Sequence, residues 1–212
     1  MIDKLHYISQ AQENGDHLPA IRRALTGGCK WIQLRIKDQP ASVILDQAIA
    51  ARALCWRHGA KLIVNDHPEI ALKAEADGLH LGLQDMPVRD ARKIIGNSMI
   101  IGGTANTIQD VQQRIAEGVD YIGLGPYRFT KTKHNLSPIL GYESIGSIIQ
   151  QLVNPGVPII AIGGITLSDI GEIMKTGVYG VALSSAITNA DNPENLIARL
   201  YNYIHMPSTT IS

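Results

Sequence analysis

Seven short apolar runs in this chain finish in the same manner: WIQLRIKD (31–38), KLIVND (61–66), LHLGLQD (79–85), MIIGGTAN (99–106), YIGLGP (121–126), PIIAIGGI (158–165) and GVALSSAI (180–187). Each opens in β-branched or aliphatic residues and closes in glycine, a hydroxyl, an amide or a charge. Runs apolar on both alternating faces belong to strands covered on both sides, as in parallel sheets. Parallel strands all point one way, so their polar ends collect along one edge. In a closed barrel that edge is a ring around one mouth, where such folds carry their chemistry.

Between these runs, and after an eighth at LHYIS (5–9), lie segments with helical periodicity. In ASVILDQAIAARALCWRHG (41–59) the apolar positions recur at helical spacing and Gly59 supplies a stop. In HPEIALKAEADG the proline suits a first helical turn. MPVRDARKIIG, TIQDVQQRIAEG, YESIGSIIQQLV, TLSDIGEIMKTG and NPENLIARLYNYI follow the later strands. Eight strand–helix units without a long interruption predict an α/β fold, a single (β/α)8 TIM barrel, and not an open doubly wound sheet. No linker, low-complexity stretch or like-charge run divides residues 1–212, so the expectation is one domain.

Nineteen basic and nineteen acidic residues balance to zero formal charge. That removes the electrostatic footprint of a nucleic-acid or anionic-membrane binder. MIDKLHYISQ lacks the charged leader and apolar core of a signal peptide. No apolar run reaches membrane-spanning length, and a cytoplasmic location is expected. Cys29 and Cys55 show neither metal nor redox spacing and are expected reduced. The seven histidines form no HxH or HxxxH pair, which argues against zinc.

Several polar strand ends carry recognisable chemistry. Alternation along QLRIKD sets Gln33, Arg35 and Lys37 on one face, and charges directed into a barrel are costly unless they meet an anion. Lys37 could also emerge into solvent. Asp66 and Asp85 end neighbouring strands. Each alone reads as a helix N-cap; beside Arg35 and Lys37 the pair reads better as a ligand set for Mg2+, which takes one or two carboxylates and completes its shell with water and phosphate oxygens. His80, inside the fourth strand, is open between a packed spacer and a residue lining the site. The segment 127–135 is long for a βα loop and holds Thr130, Thr132 and Lys133. It reads as a lid over phosphate oxygens or as a solvated basic loop. Gly163–Gly164 end the seventh strand and Ser184–Ser185 the eighth, and the loops there often hold a phosphate on backbone N–H groups in such barrels. Two anion-binding regions result: one basic and metal-assisted, the other a backbone nest.

QLRIKD, VNDHPEIAL, DGLHLGLQDMP, TKTK, AIGGI and SSAI, in this order and spacing, resemble the thiamine-phosphate synthase (thiamine-phosphate pyrophosphorylase) family over nearly the whole chain. The resemblance implies condensation of 4-amino-2-methyl-5-(diphosphooxymethyl)pyrimidine with a thiazole phosphate. The route is dissociative and Mg2+-assisted, giving thiamine phosphate and diphosphate. It implies that Asp66 and Asp85 hold the metal, and that Arg35, Lys37 and Lys133 stabilise the departing diphosphate. Asn65 and Gln33 would orient the pyrimidine or the diphosphate. Thr104 stands where the family often has serine, and Thr130, Thr132, Gly164, Ser184 and Ser185 match thiazole-phosphate positions. Leu83, Ser9–Gln10 and Thr104–Ala105–Asn106 depart from the common pattern. A metal-independent thiazole tautomerase, a sugar-phosphate isomerase and a non-catalytic ligand-binding regulator are the alternatives. A homodimer is compatible with the sequence.

Overall fold

The computed structural model describes residues 1–12, 15–129, 138–152 and 154–205. The eight apolar runs form eight parallel strands: β1 (Leu5–Ile8), β2 (Trp31–Leu34), β3 (Lys61–Asn65), β4 (Gly78–Leu81), β5 (Ile100–Ala105), β6 (Tyr121–Leu124), β7 (Ile159–Ile162) and β8 (Gly180–Leu183). They pair in sequence order, and β8 returns to β1 through Leu5↔Val181, His6↔Ala182 and Tyr7↔Leu183, closing the barrel. Around them run α1 (Leu18–Thr26), α2 (Ala41–Arg57), α3 (Pro68–Lys73), α4 (Val88–Ile95), α5 (Ile108–Ala116), α6 (Gly141–Gln151), α7 (Ile170–Lys175), α8 (Ser185–Thr188) and α9 (Pro193–His205). None of the described helices is long and apolar enough to cross a membrane.

Period-2 alternation sorts every strand between two environments. Outward residues such as Ile32, Leu34, Leu62, Val64, Leu79, Leu81, Ile122 and Leu124 are buried beneath the helices. Helix α2 answers with Ile44, Ala48, Ala51 and Cys55, a stripe at helical spacing made mostly of small side chains that let the helix lie close to the sheet. Each fully buried Leu or Ile contributes about 1.5–3 kcal/mol, so this layer between sheet and helices dominates the fold's stability. The inward residues are different. Ile8, Trp31, Ile63, Tyr121, Ile160 and Ala182 fill the barrel. His6 stacks on Trp31 with ring centroids 4.5 Å apart, and Tyr121 meets Trp31 edge-on at 5.5 Å. Gly102, inward on β5, makes room for that tyrosine: a Cβ there would stand 2.1 Å from the Tyr121 ring.

The inward positions therefore change character along the barrel axis. Aromatic and aliphatic side chains plug the interior. Nearer the C-terminal strand ends the inward residues are Gln33, Asn65, His80 and Thr104, followed by Ser184 just beyond β8. Several strands stop earlier than the sequence expectation: β4 ends at Leu81 and β7 at Ile162, so Asp85 and Gly163–Gly164 lie in the turns beyond them. β2 leaves the ladder after Leu34, so Arg35 and Lys37 stand at the mouth and not inside the barrel. Arg35 is half-buried and Lys37 exposed, which keeps their charges near water. β8 stops at Leu183, and Ser185 is already the first residue of α8.

Candidate functional site

A cleft of about 490 Å³ opens at the C-terminal mouth. Among the residues that line it are Gln33, Arg35, Asn65, His80, Thr104, Gly164, Ser184 and Ser185, eight positions that the sequence singled out. Thr130, Thr132 and Lys133 lie outside the described residues.

The floor is a fixed set of polar groups. Gln33 Nε2 donates to Asn65 Oδ1 at 2.7 Å, joining the ends of β2 and β3. Neither amide has a remaining buried atom without a partner, so their other polar atoms face the open cleft. His80 is buried, with Nδ1 3.0 Å from the Tyr121 hydroxyl and Nε2 3.0 Å from the Thr104 hydroxyl. It is both things the sequence left open, a packed strand residue and part of the cleft wall. The two hydroxyls set the plane of its ring.

Beside this floor, next to Asn65 but outside the residues that line the cleft, stands the charged group of Lys37, Asp66 and Asp85. The backbone N–H of Asp66 donates to His80 O at 2.9 Å, extending the β3–β4 pairing by one residue. Asp66 then turns into the left-handed region at φ +67°, a conformation that Asp and Asn accept more readily than most residues. Asp85 is held by a tight turn in which its Oδ2 accepts from the Gly82 N–H at 2.6 Å. Lys37 pairs with Asp66. Burial raises the Asp66 carboxyl above the ordinary carboxylate range, and the adjoining Asp85 carboxyl, within hydrogen-bonding reach, adds to the rise against the pull of Lys37. For Asp85 burial acts upward too, but the Asp66 carboxyl, the Gly82 N–H and the charges of Lys37 and His80 outweigh it and hold the group low. Two facing carboxyls that resist carrying two charges suit a hard divalent cation.

Neither aspartate caps a helix. The N-caps of α3 and α4 are His67 and Pro87, and neither makes a side-chain capping bond. The capping alternative for Asp66 and Asp85 is thereby set aside. Among the described residues no group of three or more His, Cys, Asp and Glu could enclose a metal ion. A cation on this pair would fill its shell with water and ligand oxygens.

Across the cleft lies the second region. Gly163 and Gly164 take φ +103° and +66°. A Cβ on Gly163 would stand 2.8 Å from Pro126, so the turn passes close under the segment leaving β6. Next to it, Ser184 Oγ donates to Ile8 O at 2.7 Å, and Ser185 opens α8, whose first N–H groups have no partner within the helix. Free backbone N–H groups gathered at adjacent strand ends are the kind of arrangement that can bind an anion.

The structure also adds residues that the sequence reading did not assign to the site: Phe129, Ile162 and Ala182 line the cleft, as do Ser9, Gln10 and Asn106, noted from the sequence only as departures from the family pattern. Ser9 and Asn106 obey the polar strand-end pattern, which could have found them. Ser9 Oγ lies 2.7 Å from His17 Nδ1 and accepts from the Arg35 N–H at 3.2 Å, tying the β1 loop to the base of Arg35. Burial lowers His17 to about 4, which favours its neutral imidazole. Arg114, buried on α5, reaches the carbonyl oxygens of Gly82 at 2.8 Å and Thr104 at 3.1 Å and pairs with Glu117. It thus anchors both the Asp85 turn and the Thr104 strand end. No local pattern announces this, because α5 reads as an ordinary amphipathic helix.

Residues 5–187 match the family model described as thiamine monophosphate synthase. The chain is 49% identical over 202 residues to the thiamine-phosphate synthase of Flavobacterium psychrophilum, covering 94% of this chain and 98% of that relative. It is 48% identical to the thiamine-phosphate synthase of Phocaeicola vulgatus, covering 94% and 97%. Among solved structures, the thiamine phosphate pyrophosphorylase of Pyrococcus furiosus superposes with a TM-score of 0.83 at 30% identity, covering 95% of each chain.

Proposed function

The chain belongs to the thiamine monophosphate synthase family, and from that premise we propose that it is a transferase joining a pyrimidine diphosphate to a thiazole phosphate at the mouth of the barrel. The bond between the pyrimidine methylene carbon and the diphosphate oxygen breaks, and its electron pair leaves with diphosphate. The thiazole ring nitrogen donates its lone pair to the methylene carbon, giving thiamine phosphate. No protein nucleophile is consumed.

The observation that carries this reading is the division of the cleft. Arg35 lines one side, with the Lys37–Asp66–Asp85 group next to it at the ends of β2, β3 and β4 but outside the lining; the Gly163–Gly164 turn, Ser184 and Ser185 line the other, with amides and hydroxyls between. The charged side suits the diphosphate. Asp66 and Asp85 would hold Mg2+, which when bound neutralises charge developing on the leaving diphosphate. Arg35 and Lys37 oppose the same charge, and Lys133 would join them from the loop after β6. Preorganised charges in a water-poor site are the largest single source of rate acceleration in such reactions. Gln33 and Asn65, locked to each other, offer their remaining amide atoms to orient the pyrimidine. His80 and Thr104 complete that wall. The thiazole phosphate would sit on the backbone turn at Gly164, Ser184 and Ser185, with Thr130 and Thr132 contributing hydroxyls. The cytoplasm is the compartment in which we place this reaction.

The test is direct. The purified protein is incubated with both substrates and Mg2+, and thiamine phosphate is measured through its fluorescent oxidation product, with EDTA as control. Metal-dependent product formation supports the synthase and its acidic pair together. Conversion of a thiazole tautomer without metal, and no condensation, would replace this reading with an isomerase.

A further inference from the structure

The segment leaving β6 is joined to the turn after β7 by two backbone hydrogen bonds. Tyr127 N donates to Ile162 O at 2.8 Å and Arg128 N to Gly163 O at 2.9 Å. The Arg128 guanidinium then crosses to the next element. Nη1 reaches Gly164 O at 3.2 Å and Asp169 Oδ2 at 3.0 Å, while Nη2 reaches Asp169 Oδ1 at 2.8 Å. Asp169 is committed as well. Its side chain is only 10% exposed, and Oδ2 also accepts from the backbone N–H and hydroxyl of Thr166 at 2.8 and 2.7 Å. A bidentate arginine–carboxylate fork fixes orientation as well as distance. Here one end of the fork is anchored to the capped turn at Thr166–Asp169, and its side grips the carbonyl of Gly164. Gly164 is pressed from the same direction, since a Cβ on it would lie 3.0 Å from Arg128 Cβ and 3.2 Å from Phe129 O.

Arg128 does not line the cleft, whereas Gly163, Gly164 and Phe129 do. Its action on any ligand there must pass through the peptide it holds. We infer that the Arg128–Asp169 pair is a positioning device that fixes the Gly163–Gly164 turn as a cradle for the thiazole phosphate, an inference that rests on the site reading proposed above. Arg128 is half-exposed, so breaking the pair is compatible with an intact barrel. Its effect falls mainly on one of the two substrates, because Arg35, Lys37, Asp66 and Asp85 stand on the ends of β2, β3 and β4 across the mouth.

The experiment compares Arg128→Gln, Asp169→Asn, the double variant and Arg128→Lys, measuring kcat and the KM of each substrate separately. Misplacing a binding turn costs roughly ten- to a hundredfold, so the KM for thiazole phosphate should rise on that scale in Arg128→Gln and Asp169→Asn. The KM for the pyrimidine diphosphate should hold, and kcat at saturation should change little. The double variant should be no worse than either single one, since both remove the same contact. Arg128→Lys, which keeps a charge but not the fork, should recover only part of the affinity. Unchanged thiazole KM in both single variants overturns the inference. An equal rise in both KM values overturns it too, by showing a diffuse structural effect. Gly164→Ala, which strains the turn itself, separates the premise from the inference. If it raises the thiazole KM while the Arg128 and Asp169 variants do not, the positioning role alone falls. If it leaves that KM unchanged, the phosphate does not sit on this turn and the underlying site reading falls with it.

Discussion

Asp66→Asn isolates the charge of one proposed metal ligand from its structural part. Alanine would be a poor choice, because Asp66 sits at φ +67°, where a residue unable to bond locally is strained by about 1–2 kcal/mol. Asparagine tolerates that conformation and keeps an oxygen for Lys37. Two stability terms then change in opposite directions. The Lys37 ion pair is lost, but with Lys37 45% exposed it is worth about 0–1 kcal/mol. The burial cost of a charge and its repulsion from Asp85 disappear, the same factors that raise the Asp66 carboxyl. The net should stay within about 1 kcal/mol, which moves the Tm by no more than about 2–4 °C in a chain of this size. Catalysis has no such compensation. Losing one preorganised charged contact removes about 2.7–4 kcal/mol from the transition state, so kcat should drop roughly a hundred- to a thousandfold. Asp85→Asn should fall as far, and the double variant little further, because the two carboxylates act as one unit. The assay is kcat with both substrates saturating across a Mg2+ titration, with thermal unfolding measured in parallel. Turnover within about threefold of the parent, less than about 0.7 kcal/mol in barrier, would refute the ligand role. A Tm loss well beyond the range above would show instead that Asp66 holds the mouth together.

Three further outcomes are expected. Burial lowers His6 to about 3 and His17 to about 4, whereas both imidazoles titrate near 6.5 once unfolded. The unfolded chain therefore binds more protons below pH 6.5, and stability should be intact above that value and fall as pH drops toward 4. The slope approaches about 1.4 kcal/mol per pH unit for each histidine. Urea midpoints at pH 7, 6 and 5 measure it, His17→Gln should roughly halve it, and a flat profile would show that neither imidazole is held neutral. Gly102→Ala drives a methyl into the Tyr121 ring and should cost about 1–3 kcal/mol or more of stability. Because Tyr121 orients His80, activity should fall alongside it, and a fully stable, fully active variant would show that the barrel interior yields more easily than its packing implies. Burial pushes the Cys29 and Cys55 thiols up to about 12, so neither should react with a disulfide reagent near neutral pH until denaturant is added. Rapid labelling of the native protein would contradict this.

The barrel and the position of its active edge were legible in the chain because both rest on local, repeating information. Apolar runs such as KLIVN and WIQL carry the strand signal in themselves, and parallel strands must gather their polar ends at one mouth. Arg35 and Ser184 were singled out on that ground, whereas Asn65 and Thr104 were assigned through the family resemblance. For Asp66 and Asp85 the local signal was ambiguous, since an acidic residue just before a helix caps and ligates equally well. It was the backbone that assigned the caps to His67 and Pro87 and turned the two carboxyls toward each other. Other features depend on residues far apart in the chain. The Gln33–Asn65 amide pair and the His80–Tyr121 bond exist only because the strand register brings positions 32 and 41 residues apart together. Arg114 reaching Gly82, and Arg128 gripping Asp169, depend on where a helix lies over the sheet and where one βα turn passes another. Periodicity encodes which face of an element is buried; which side chains then meet across the mouth is settled by closure of the barrel.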